Sequence, residues 1–101
     1  MPHVLIVHDS ESARADLMRE LQGEGCTVAE ADSGSSAVRE IWQGNFDAAL
    51  IGDRLPPLNG ASLEEQLRNL APEIVTMRFG REPPARVARK LMDILDGAAA
   101  A

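Results

Sequence analysis

Apolar residues along the chain come in short unbroken runs that alternate with stretches of helical spacing. Val4 to Val7 is a continuous apolar run of the length of a strand buried on both faces. Ser10 or Ser12 can cap the helix that follows, with Ala13, Leu17, Met18 and Leu21 on one side, and Gly23 and Gly25 stop it. Cys26 to Ala31 reads as a second strand. Asp32, Ser33 and Gly34 then introduce a helix that turns Ala37, Val38, Ile41 and Trp42 inward and ends at Gly44. Phe46 to Ile51 is a third strand. From Ala61 a helix carries Leu63, Leu67 and Leu70 as far as Pro72, and Glu73 to Phe79 forms a weaker fourth strand. The pair Pro83 and Pro84 starts a last helix with Val87, Ala88, Leu91, Ile94 and Leu95 inward. Strands alternating with helices over short loops imply right-handed crossovers and a parallel sheet covered on both faces. The predicted class is a small doubly wound α/β fold.

Length and composition narrow the picture without changing it. A chain of 101 residues, nearly half apolar and about a quarter charged, suits one modest core and excludes disorder as the default. Its net charge of −6 argues against non-specific nucleic-acid binding, which needs a basic surface. The single cysteine, Cys26, has no internal disulfide partner and fits a reducing cytoplasm, its simplest role being a small buried apolar side chain. No apolar run approaches a membrane span and no signal peptide opens the chain. Residues 1–96 form the expected domain, with 97–101, Gly97 and its alanines, as a linker or appended tail.

In such folds ligands lie at the carboxyl ends of the strands, here His8 with Asp9, Gly52 with Asp53, and Met77 with Arg78. The turn HDSESAR after the first strand lacks a glycine for pyrophosphate approach, which weakens a nucleotide-binding reading. One histidine beside one carboxylate is too few ligands for a closed metal site, so His8 reads as hydrogen-bonded rather than as a ligand or pH sensor. Asp9 suits a helix N-terminus by charge alone. Five cations, Arg78, Arg81, Arg86, Arg89 and Lys90, gather in the last quarter of the chain, either as a patch for an acidic partner or as a solvated helix face.

Three segments together, VLIVHDSESAR, EADSGSSAVREI and FDAALIGDRLPPLNG, resemble the bacterial response-regulator receiver domain over most of the chain. The resemblance implies a flavodoxin-like sheet of order 2-1-3-4-5. It also implies a phosphoacceptor aspartate closing the third strand four residues before a proline, acidic residues that hold magnesium, a hydroxyl after the fourth strand and a lysine before the last helix. Those parts neutralise and position a phosphoryl group.

Aligning Pro56 and Gly60 with the family's turn puts Gly52 at the acceptor position, with Asp53 one residue late and, by strand alternation, facing away. His8 takes the first acidic place beside Asp9, Met77 the hydroxyl place with Thr76 one early, and Glu82 before Pro83 the lysine place. The family's fourth helix and fifth strand find no room, which shortens the sheet to about four strands with about four helices and leaves the fourth strand as an edge.

The expectation is a degenerate receiver, not an enzyme and without a cofactor: a phosphorylation-independent interaction and dimerisation module of a bacterial two-component-type regulator. Its degenerate pocket is His8, Asp9, Gly52, Asp53, Met77 and Glu82, and its interface draws on Arg78, Phe79, Arg81, Arg86, Arg89 and Lys90. The alternative is a working phosphoacceptor that uses Asp53 with Asp9 and a divalent cation.

Overall fold

A computed structural model describes residues 1–55 and 58–100 of the chain. Its elements are β1 (His3–Val7), α1 (Glu11–Gly23), β2 (Thr27–Ala31), α2 (Gly34–Gln43), β3 (Ala48–Gly52), β4 (Arg54–Leu55), β5 (Leu58–Asn59), α3 (Gly60–Leu70), β6 (Val75–Phe79) and α4 (Pro84–Ala100). Four strands form one parallel sheet in the order β2-β1-β3-β6. Beyond the end of β3, the two-residue strands β4 and β5 pair antiparallel. The proline turn expected at Pro56 lies outside the described residues.

The apolar runs become strands because both faces of the sheet are covered. On β1, Val4 and Ile6 pack with Leu17, Leu21, Val87 and Leu91 beneath α1 and α4. Leu5 and Val7 pack with Ala37, Leu63 and Leu67 beneath α2 and α3. Ala48 and Leu50 of β3 join the first cluster, Ala49 and Ile51 the second. This strict alternation assigns a layer to every residue on the strands.

Side-chain caps fix where the helices begin. Ser10 Oγ accepts from the Ala13 amide, Ser33 and Ser36 form a reciprocal capping box, and Asn59 Oδ1 accepts from the Ser62 amide. At α4 the Pro83 carbonyl accepts from Arg86 and Val87 amides. Its helix runs on through Gly97 to Ala100, so Gly97 does not end it; the alanines are the strongest helix formers and favour continuation.

Three residues expected inside are outside. Trp42 is 74% exposed, Ile94 45% and Leu70 39%. Each lies at the margin of its helix's apolar arc, and Val38 and Ile41 already close the α2 layer. Trp42→Ala is therefore expected to change stability by less than about 0.5 kcal/mol. In the intact chain the emission of this sole tryptophan is expected to be that of a wetted indole, readily quenched by iodide; an iodide-resistant, blue-shifted emission would contradict this exposure. Cys26 is buried as expected at 5% exposure, with Sγ 3.5 Å from Met92 Sδ. Desolvation, helped by nearby Glu24, pushes its thiol up and keeps it neutral.

Candidate functional site

The carboxyl ends of β1, β3 and β6 open into a cleft of about 630 Å³ lined by His8, Asp9, Asp53, Arg54, Phe79, Gly80, Arg81 and Glu82. Layer alternation explains its floor. His8 follows Ile6, Gly52 follows Leu50, and Phe79 closes β6, all on the α1/α4 side of the sheet. Gly52 leaves a space that the His8 ring fills, since a Cβ built on Gly52 would meet His8 Cδ2 at 2.8 Å.

The ring is fixed from several sides. It stacks on Phe79 with centroids 5.4 Å apart, and its Nδ1 lies 2.9 Å from the Ser10 amide and 3.2 Å from Asp9 Oδ1. One ring nitrogen cannot accept the amide proton and donate to Asp9 at once. The Ser10 amide always carries its hydrogen, so Nδ1 is the acceptor and the ring hydrogen sits on Nε2. Arg14 Nη1 donates to the His8 carbonyl at 2.6 Å and its Nε pairs with Glu30, which ties the β1 exit to β2.

Asp53 departs from its expected direction. Alternation would send it to the α2/α3 side, but β3 ends at Gly52 and the chain bends. Its backbone is held at both ends, with the amide donating to the Phe79 carbonyl at 2.9 Å and the carbonyl accepting from Gly60 at 3.1 Å. The carboxylate lies over Gly80, where a Cβ would meet Asp53 Oδ2 at 2.9 Å and Glu82 Oε1 at 3.8 Å. Asp53 thus stands on the rim of the cleft that holds His8 and Asp9. Glu82 folds inward and accepts from the Gly80 amide at 3.2 Å.

Met77 is not at the site. The β3–β6 register sets it against Leu50 and sets Phe79 against Gly52, so Met77 packs beneath the sheet two residues short of the cleft. The place across from Gly52 belongs to Phe79, which at 4% exposure is floor rather than interface. Arg81, expected on an outer patch, lines the cleft instead, and so do Arg54 and Gly80, which the sequence reading did not single out. Arg86, Arg89 and Lys90 are exposed on α4 with Asp93 one turn along, the mixed surface of a solvated helix face. Arg78 is half-exposed on β6, 3.7 Å from Glu64. Among the described residues no three carboxylate, histidine or cysteine side chains are grouped to hold a metal. None of the described helices is long and apolar enough to cross a membrane.

Comparison with known proteins places this geometry. The sensor kinase/phosphatase LuxN of Vibrio harveyi is 27% identical over 95% of this chain, which spans 11% of LuxN. The transcriptional regulatory protein PrrA of Mycobacterium tuberculosis is 36% identical over 66% of the chain, which spans 29% of PrrA. Among solved structures, a CheY-like receiver domain from Methanospirillum hungatei superposes with a TM-score of 0.89 at 20% identity, covering 96% of this chain and 95% of that one. DrrB of Thermotoga maritima superposes with a TM-score of 0.86 at 13% identity, covering 97% and 54%. These similarities fix the fold as CheY-like, and a sequence profile of the response regulator receiver domain matches residues 4–94. With its parallel β2-β1-β3-β6 sheet and a cleft at the strand ends, the chain belongs to the response regulator receiver family.

Proposed function

We propose that this receiver domain works without phosphorylation, as a protein-interaction module of a bacterial two-component-type regulator in the cytoplasm. The observation that carries this reading is the occupancy of the acceptor position. Gly52 offers no oxygen, and the His8 ring stands where a side chain would project. Two further features support it. A neutral imidazole is a poor ligand for the hard, oxygen-seeking magnesium ion. At the position where the family resemblance asks for a lysine, Glu82 and Asp53 bring two carboxylates to Gly80, which adds negative charge where a phosphoryl group would need it neutralised. Signalling then depends on what the folded surface binds.

A second reading keeps one specific observation in its favour. Asp53 shares the cleft with Asp9, and Arg81 on the same rim could stand in for the missing lysine. Intact-mass measurement after incubation with acetyl phosphate and magnesium separates the two. The interaction-module reading expects an unchanged mass; an added phosphate that maps to Asp53 and vanishes in Asp53→Asn would establish the second.

A further inference from the structure

The sheet ends at β6, and that edge is open. Among the described residues β6 pairs only with β3. Parallel pairing uses both peptide groups of alternate residues on one side. The Val75 amide donates to Asp47 and the Phe79 carbonyl accepts from Asp53, so Val75, Met77 and Phe79 turn their peptide groups to β3. Thr76 and Arg78 therefore turn theirs outward, as two amides and two carbonyls at the protein's margin.

The devices that usually blunt an edge are weak in this strand. Its one charge, Arg78, is drawn down toward α3 by Glu64 at 3.7 Å. The helix beside the edge presents an exposed apolar residue, Ile94, one turn after the exposed Lys90. Met92 faces Cys26 on the β2 side of the α1/α4 layer, at 3.5 Å, and Ile94 lies about 160° around the helix from it, toward β6. That residue is 45% exposed.

We infer that β6 pairs antiparallel with β6 of a second copy of this chain, joining two four-stranded sheets into one. The sequence of the strand selects the register. A two-fold axis at Met77 sets Thr76 against Arg78 of the second copy, and it sets Arg78 against that copy's Thr76. All four outward peptide groups of each strand are then used, and no like charges stand directly opposite. Centring the axis on Arg78 would oppose two guanidiniums. Centring it on Thr76 would face Arg78 with Ile74, whose amide already donates to Ala71.

On the α4 side this register brings the helix margins that carry Lys90 and Ile94 of the two copies onto one face of the joined sheet. On the α3 side it gathers Arg68, Arg78 and Glu64 from each copy, a surplus of cations within a Debye length. Association is therefore expected to tighten as salt rises. The inference names a partner for the contact-module reading, and it stands or falls separately from phosphoryl uptake.

Sedimentation equilibrium over a concentration series, with amide exchange followed at Thr76 and Arg78, tests it. A dimer is expected, with those two amides protected only at concentrations where the dimer forms. Thr76→Pro removes an outward amide and spares the β3 ladder, and Ile94→Lys charges the adjoining helix; each is expected to weaken association at least about tenfold. If the proline variant fails to fold, the exchange data and Ile94→Lys still decide. A chain that stays monomeric throughout, or a dimer whose Thr76 and Arg78 amides exchange as in the monomer, overturns the proposal.

Discussion

Gly52→Asp is expected to destabilise the domain by about 1–3 kcal/mol, the usual cost of forcing atoms into a packed site, and to remain unphosphorylated by acetyl phosphate and magnesium. The cause is the 2.8 Å approach that any Cβ at this position makes to His8 Cδ2. His8 cannot move aside freely, because its ring is stacked on Phe79 and accepts from the Ser10 amide. Displacing it exposes part of that stack and leaves the amide without its partner. The added carboxylate would also meet no ring of ligands, with a histidine in the first acidic place and Glu82 in the cation's. Gly52→Ala isolates the steric part and is expected to show most of the loss as a lower urea midpoint. Combined with His8→Ala, the same substitution should cost less than the two single losses added, because the ring that it strikes is gone. Strict additivity in that cycle, or phosphate on the Gly52→Asp chain, would show that His8 does not guard the position.

That pair of residues was legible in the sequence one at a time but not as a contact. The residue that would have been an acid is an imidazole, the residue that would have been an acceptor is a glycine, and a parallel β1–β3 pairing brings the ring over the gap. Layering was readable because a strand buried on both faces is an uninterrupted apolar run, as at Val4 to Val7 and Ala48 to Ile51. Register was not. Met77 and Phe79 are two residues apart on the same face, and only the pairing of Phe79 with Gly52 decides which of them stands at the cleft. The direction of Asp53 was misjudged because alternation was carried one residue past the end of its strand, where the chain bends toward β4. Arg81 lines the cleft because β6 passes almost directly to α4, which holds residues 80–82 above the strand ends. A charge census cannot see that shortening. Trp42 is outside because it lies at the margin of the apolar arc: helical spacing marks it as inward, but Val38 and Ile41 already close the α2 layer.

Gly60→Ala is expected to be as damaging, at the upper end of the ~1–3 kcal/mol overpacking range, although alanine is ordinarily the better residue in a helix by about 1 kcal/mol. Gly60 opens α3 against the strand that ends in Gly52. A Cβ there would overlap the Gly52 carbonyl oxygen and come within 3.2 Å of Asp53 Cα. Both neighbours are backbone, so no rotamer change relieves the contact. The peptide that would have to yield joins Gly52 to Asp53; its amide donates to the Phe79 carbonyl at 2.9 Å, and the next carbonyl along, that of Asp53, accepts from the Gly60 amide at 3.1 Å. Forcing it outward therefore breaks the bonds that hold Asp53 on the cleft rim and loosens β3 from β6 at the same end. A domain with only ~5–15 kcal/mol of total stability feels such a loss across its whole unfolding transition. Gly97→Ala supplies the matching control, because Gly97 lies within α4 with nothing inside 4 Å of a built Cβ. That substitution is expected to leave stability unchanged or raise it by a few tenths of a kcal/mol, as propensity alone dictates for an open helical site near a terminus. Opposite signs for the two variants in urea unfolding would place the constraint in the Gly60–Gly52 approach. Equal, small effects would mean that α3 can shift away from β3, and Asp53 would then be free to leave the rim.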